Sequence, residues 1–113
     1  MEARLRSDIQ VAGLGRHAET LGLIYTVIHK GHAEGGMIFV KWLDGRDVTL
    51  LTETQKNGTR GWRLMTAAPL PEGEANQRLE QERSFDPDLW VMEIVGAAKH
   101  IATVFSPILS DQG

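Results

Sequence analysis

The sequence predicts an α+β domain of about five mainly antiparallel strands and two principal helices, in the order α-β-β-β-β-α-β, with a single layer of helices on one sheet face. Three observations carry this. Short β-branched runs in the middle of the chain are separated by Asp44-Gly45 and Asn57-Gly58, dipeptides that favour tight hairpin turns. Helical spacing is convincing in two segments only, one near the N-terminus and one over residues 72–84. A nearly continuous apolar run, Leu89 to Val95, follows the second of these after the corner Asp86-Pro87-Asp88. Proline fixes its own φ there and turns the residue before it out of the helical region. Local hairpins imply antiparallel pairing, and two helices cover one sheet face well.

Taken in order, Ser7-Asp8-Ile9-Gln10 reads as a capping box, with Ser7 as N-cap and Gln10 reaching back. Val11, Leu14, Ala18 and Leu21 then recur at helical spacing, and Gly22 stands where a helix stops. Gly13 and Gly15 each cost about 1 kcal/mol against alanine, so this helix depends on packing. Leu23 to Lys30 is a β-branched strand, and Lys30 to Gly36 a polar, glycine-rich loop. Met37 to Leu43, Val48 to Glu53 and Gly61 to Ala67 are the next three strands, joined by the turns at Asp44-Gly45 and Lys56-Asn57-Gly58-Thr59. Pro69 and Pro71 end the fourth strand. Glu72 to Ser84 is a helix, acidic at its start as the macrodipole prefers and with Arg78 and Arg83 further along. Its one clear apolar pair, Ala75 and Leu79, makes it a thin packer. Leu89 to Val95 is the fifth strand. Beyond Gly96, Ala97, Ile101, Val104 and Ile108 stand at helical spacing until Pro107 interferes, which leaves the state of the tail open.

At 113 residues the chain fits a single domain, with a core over about residues 5–95 and a tail over 96–113. Its 42% hydrophobic and 24% charged residues are ordinary for a globular protein. The absence of cysteine excludes disulfides, thiolate metal sites and cysteine nucleophiles. A formal charge of −3 argues against nonspecific nucleic-acid binding, which needs a basic surface. No apolar run is long enough to span a bilayer, and the N-terminus lacks the basic-then-apolar layout of a secretory signal, so cytoplasmic residence is expected.

The opening Arg-Leu-Arg-Ser-Asp-Ile, the segment Gly35-Gly36-Met37-Ile38-Phe39-Val40-Lys41 and, above all, Phe85-Asp86-Pro87-Asp88-Leu89-Trp90-Val91 within Arg83 to Ile94 carry a resemblance. Over residues 1–95 the chain resembles an uncharacterised family of small alphaproteobacterial proteins, catalogued as domain of unknown function 1491. Two departures stand out. His32 follows Gly31 where the family pattern carries an acidic residue, and the tail after Gly96 does not resemble the family. The resemblance implies a size, a lineage and an α+β fold, and no activity.

Among side chains that could carry chemistry, the loop His29-Lys30-Gly31-His32-Ala33-Glu34-Gly35-Gly36 is the leading candidate. His29, His32 and Glu34 could supply three metal ligands, since imidazole and carboxylate both suit zinc or iron, but their spacing matches no metal signature. The same loop could hold an anion: Gly31, Gly35 and Gly36 permit backbone N–H groups to converge, and Lys30 adds charge. It lacks the ending of a phosphate loop and opens no helix. Against both stands the plain reading of a glycine-rich connection between strands. Asp86 and Asp88 could form an acid/base pair, but aspartates flanking proline more simply bond nearby backbone N–H groups and fix the turn. Ser7, Ser84, Ser106 and Ser110 lack a nucleophile-elbow context. His17 and His100 read as surface or half-buried histidines, and Trp42, Trp62 and Trp90 as core anchors rather than stacking platforms.

On the second strand Ile38, Val40 and Trp42 share a face, as do Trp90, Met92 and Ile94 on the fifth, and these sets are expected beneath the helices. The opposite faces carry Met37, Phe39 and Leu43, and Leu89, Val91 and Val95, too apolar for water, so a second subunit is the expected cover. Lys41 and Glu93 interrupt those second faces at similar depth and are expected to pair if the two strands are neighbours.

The sequence thus points to a small cytoplasmic binding or accessory protein, homodimeric, with no cofactor and no catalytic set. Its small-molecule or protein partner is undefined. The alternative is a small metal-dependent enzyme or anion-binding protein built on the His29–Gly36 loop. Nucleic-acid binding would need Arg4, Arg6, Arg16, Arg60 and Arg63 to converge, and the acidic balance opposes it.

Overall fold

A computed structural model describes residues 4–109. The elements are α1 (Ser7–Thr20), β1 (Ile24–His29), β2 (Ile38–Asp44), β3 (Asp47–Lys56), β4 (Thr59–Leu64), β5 (Leu70–Pro71), α2 (Glu72–Phe85) and β6 (Trp90–Val95). A 3-10 turn (Ala98–His100) and a short α3 (Ile101–Val104) follow. The α+β class and the order of the principal elements are as the sequence predicts.

The sheet runs β1-β6-β2-β3-β4, with the two-residue β5 pairing β3 off this path. All pairings are antiparallel except β2 with β6, which is parallel. The last strand is thus inserted between β1 and β2, where its apolar run is sheltered from both sides. Both hairpin turns form where expected. Gly45 adopts φ +62° between Asp44 and Asp47, and Asn57 and Gly58 adopt φ +52° and +81° between Lys56 and Thr59. Positive φ at both central residues of the second turn matches the twist of the flanking strands. Strand β5 was not expected: the prolines end β4, yet Leu70 and Pro71 still lie against Val48 and Asp47.

Strand alternation divides the core into two faces. Ile38, Val40, Trp42, Trp90, Met92 and Ile94 pack with Val11 and Ala18 of α1 and with Val104 and Phe105 of the tail. Phe39, Val48, Leu50, Leu89 and Val91 pack on the other face with Ala75 and Leu79 of α2. The helices therefore do not lie in one layer. One small pair of side chains, Ala75 and Leu79, is enough to seat α2 on the second face. That face was expected to need a second subunit, and α2 covers it instead, which removes the reason the sequence offered for a homodimer there.

One local expectation is also corrected. Ser7 is the first helical residue, not a capping side chain, and its hydroxyl donates to the Gly36 carbonyl. The first-turn N–H groups are satisfied from outside the helix, Asp8 N–H by Ala33 O at 3.0 Å and Ser7 N–H by Glu34 O at 3.4 Å. The described part of the tail, whose state the sequence left open, is structural: Phe105 is fully buried, edge-on to Trp62 at 4.9 Å and to Trp42 at 6.1 Å between ring centroids. No helix among the described residues is long and apolar enough to cross a membrane.

Candidate functional site

The loop singled out by sequence, residues 30–36, is committed to holding the fold. His32 N–H donates to Asp88 O at 2.8 Å, Gly36 N–H to His32 O at 3.1 Å, and Gly35 N–H to His32 Nδ1 at 3.2 Å. Of the N–H groups an anion nest would use, those of Gly35 and Gly36 are thereby spent on the protein itself. His32 O also accepts the Trp90 indole N–H at 2.8 Å. Gly31 and Gly36 lie so close to Asp88 O that a Cβ at either would overlap it, whereas Gly35 has open space. These two glycines serve close backbone approach rather than ligand binding. The facing corner is fixed as an Asx turn, with Asp88 N–H donating to Asp86 Oδ1 at 3.1 Å across Pro87.

The metal reading has no geometric support in this loop. His29 Nε2 lies 3.2 Å from Pro87 O, His32 is engaged with Gly35, and Glu34 is exposed. Among the described residues no three His, Asp or Glu side chains converge as a metal site. Lys30 is exposed, with no acidic partner among the described residues.

Lys41 and Glu93 face each other across β2 and β6, with Lys41 Nζ 3.2 Å from Glu93 Oε2. A third member, which the sequence did not reveal, comes from the start of α2: Glu72 Oε2 accepts from Nζ at 2.7 Å. Burial alone pushes the Lys41 ammonium down, but the hydrogen bonds and charges of Glu72 and Glu93 outweigh it and leave the pKa raised. A lysine held charged by two acids is a poor base or nucleophile, so this cluster anchors α2 to the sheet.

The basic residues do not form one patch. Arg6 pairs with Asp8, whose carboxyl is held below its usual range chiefly by that hydrogen bond. Arg16 lies on α1, and Arg60 and Arg63 point to opposite faces of β4 by alternation. Ser84 donates to the Gln81 carbonyl at 2.6 Å, and Ser106 lines the groove described next; Ser110 lies outside the described residues.

What the structure does assemble is an open groove of about 500 Å³ on the α1 face of the β3–β4 hairpin. Arg4, Leu5 and Gln10 line it from the N-terminal segment and α1, and Glu53 and Trp62 from the hairpin. Gln55, Arg60, Ser106 and Met37 complete the lining. Glu53 is fully engaged: Arg4 donates to it through Nε at 3.2 Å and Nη2 at 2.7 Å, and Ile38 N–H donates at 2.9 Å. Arg60, by contrast, has no acceptor among the described residues. The groove's charged residues therefore sum to one unmatched positive charge, on a chain whose formal charge is −3. Sequence reasoning weighed Arg4 and Arg60 only as parts of a nucleic-acid surface and missed Glu53, Gln55 and Ser106. The residues come from four separate parts of the chain, and the one local signal was the turn beside Arg60.

A family model described as "Protein of unknown function (DUF1491)" matches residues 5–103, which takes in the first part of the tail that sequence reading placed outside the resemblance. Among solved structures, a DUF1491 family protein from Caulobacter crescentus is 35% identical with a TM-score of 0.76, over 82% of this chain and 89% of that one. A protein from A. tumefaciens solved in solution is 27% identical, TM-score 0.82, over 98% of this chain and 100% of that one. A further C. crescentus DUF1491 family structure is 32% identical, TM-score 0.80, over 96% and 100%. No curated protein matches the chain.

Proposed function

The chain belongs to the DUF1491 family of proteins of unknown function, and from that premise we propose that it is a small binding or accessory protein, without catalytic activity, whose groove takes a ligand bearing an oxyanion. Arg60 carries the reading. It is the unmatched charge of the groove, and a planar guanidinium suits a carboxylate or phosphate through paired N–H donors. Gln10, Gln55 and Thr54 offer neutral hydrogen bonds beside it, and Leu5 and Met37 offer apolar contact. The chemical groups that would support catalysis are tied into structure instead: Lys41 between two acids, His32 in its loop and Asp86 in its turn. Cytoplasmic residence belongs to the same proposal.

Amide chemical shifts of the full chain, followed while inorganic phosphate or N-acetylglutamate is added, test this. The expected result is saturable movement of Gln55, Gly61 and the Trp62 indole, lost in Arg60→Gln and kept in Arg63→Gln. Absence of saturable shifts with both probes, or shifts unchanged in Arg60→Gln, would sink the proposal.

A further inference from the structure

The two edges of the sheet are finished differently. At β4 the chain's own tail lies alongside: Trp62 N–H donates to Pro107 O at 2.8 Å, and Leu109 N–H donates to Trp62 O at 2.7 Å. At β1 no described residue pairs the outer edge. Ile24-Tyr25-Thr26-Val27-Ile28-His29 holds no lysine, acid, proline or glycine, the residues that usually blunt an exposed edge. Its one such device is a bulge between Val27 and His29. Tyr25 and Val27 pair with Ile94 and Met92 on the α1 face. Ile24, Thr26 and Ile28 point to the other face, on the side away from β3 and β5 where α2 packs. There Ile24 is 63% and Ile28 54% exposed.

We propose that β1 pairs antiparallel with β1 of a second copy of this chain, about a two-fold axis through Thr26, joining the two sheets into one. A two-fold interface must be complementary to itself, and the segment Ile24 to Ile28 is symmetric in character about Thr26. Pairing there sets Ile24 against Ile28 of the second copy, Tyr25 against Val27, and Thr26 against Thr26. Aliphatic pairs and a Thr–Thr pair are favourable across strands, and no like charges meet. A two-fold through Tyr25 would instead set Ile28 against Gly22, and one through Val27 would set Ile24 against Lys30. The bulge falls at Ile28, between Val27 and His29, so regular pairing is confined to the stretch up to that residue.

Charge also fits this register. Past the paired stretch it brings the segment with Lys30, exposed and without an acidic partner among the described residues, towards the end of α1 of the second copy. The helix's negative end and Glu19 in its last turn favour a cation there. This surface is separate from the groove, which lies toward the opposite edge of the sheet.

Sedimentation of the full chain over a wide concentration range tests the proposal, together with Thr26→Lys and Thr26→Glu. Thr26 is exposed, so both variants keep the fold, with circular dichroism and melting as controls. The expected wild type is a monomer–dimer equilibrium. Each variant weakens it at least about tenfold, because identical charges meet at the axis. An equimolar mixture of the two variants restores the dimer mass, now as a mixed pair. A wild type that stays monomeric throughout, a dimer indifferent to both substitutions, or a mixture that fails to recover the dimer would overturn the proposal.

Discussion

Lys41 and Glu93 are register partners on adjacent parallel strands, and their charged ends meet at 3.2 Å under the first turn of α2. The lysine side chain is only 8% exposed, and its two acids differ, with Glu93 at 19% and Glu72 at 49%. An ion pair withdrawn from water is costly to break from one side, because the remaining charge is stranded.

Lys41→Met is therefore expected to destabilise the fold by about 2–3 kcal/mol, below the usual cost of a fully buried pair because Glu72 is half solvated. Glu72→Gln should cost under about 1 kcal/mol. In urea unfolding, Lys41→Met and Glu93→Gln should be non-additive by about 1 kcal/mol or more; simple additivity would mean that each side chain reaches solvent independently. The pH dependence follows from the raised lysine pKa. The lysine's contribution is complete below its ordinary value of 10.5 and is lost as pH rises through the higher folded value. The stability gap between wild type and Lys41→Met should hold from neutral pH to about 10 and narrow only beyond that.

Substituting the loop glycines separates packing from flexibility. Gly31→Ala and Gly36→Ala each drive a methyl into the Asp88 carbonyl, a backbone atom that cannot swing aside. Each should cost about 2 kcal/mol or more. Gly35→Ala meets nothing within 4 Å, and its change should stay within about 0.5 kcal/mol. Thermal melting of the three variants gives the ranking, and equal effects at all three positions would contradict the close approach.

The tail is expected to behave as core. Phe105→Ala should cost about 3–5 kcal/mol, a large share of a small domain's total stability. Phe105→Leu should cost distinctly less because it keeps most of the volume. A chain ending at Gly96 should fail to fold, with Trp42 and Trp62 emission shifted to the red; a native-like spectrum from that truncation would refute the assignment.

Most of the fold was legible because its signals are local. Asp44-Gly45 and Asn57-Gly58 specify turns through backbone φ, Asp86-Pro87-Asp88 fixes a corner through ring geometry, and alternation along β2 and β6 sorts side chains into faces. The proximity of Lys41 and Glu93 was legible for the same reason: each is the one charge in an apolar run. What the chain could not show locally was which element covers which face. Ala75 and Leu79 look too slight to seat a helix, and only a sheet with a bare face gives them a place. Phe105 follows a helix of four residues, too short to produce a period, and its role exists only because Trp42 and Trp62 leave a space between them. The glycines of the 30–36 loop suggested an open nest from sequence, but a distant carbonyl, Asp88 O, and the unfilled first turn of α1 claim that loop's backbone groups. The sequence by itself determined the turns, the strand faces and the elements they separate, since these follow from each residue's own torsions and polarity. The tertiary structure alone decided the side on which α2 lies, the burial of the tail and the gathering of Arg4, Glu53 and Arg60 in one groove, since these depend on hydrogen-bonding and packing between residues far apart in the chain.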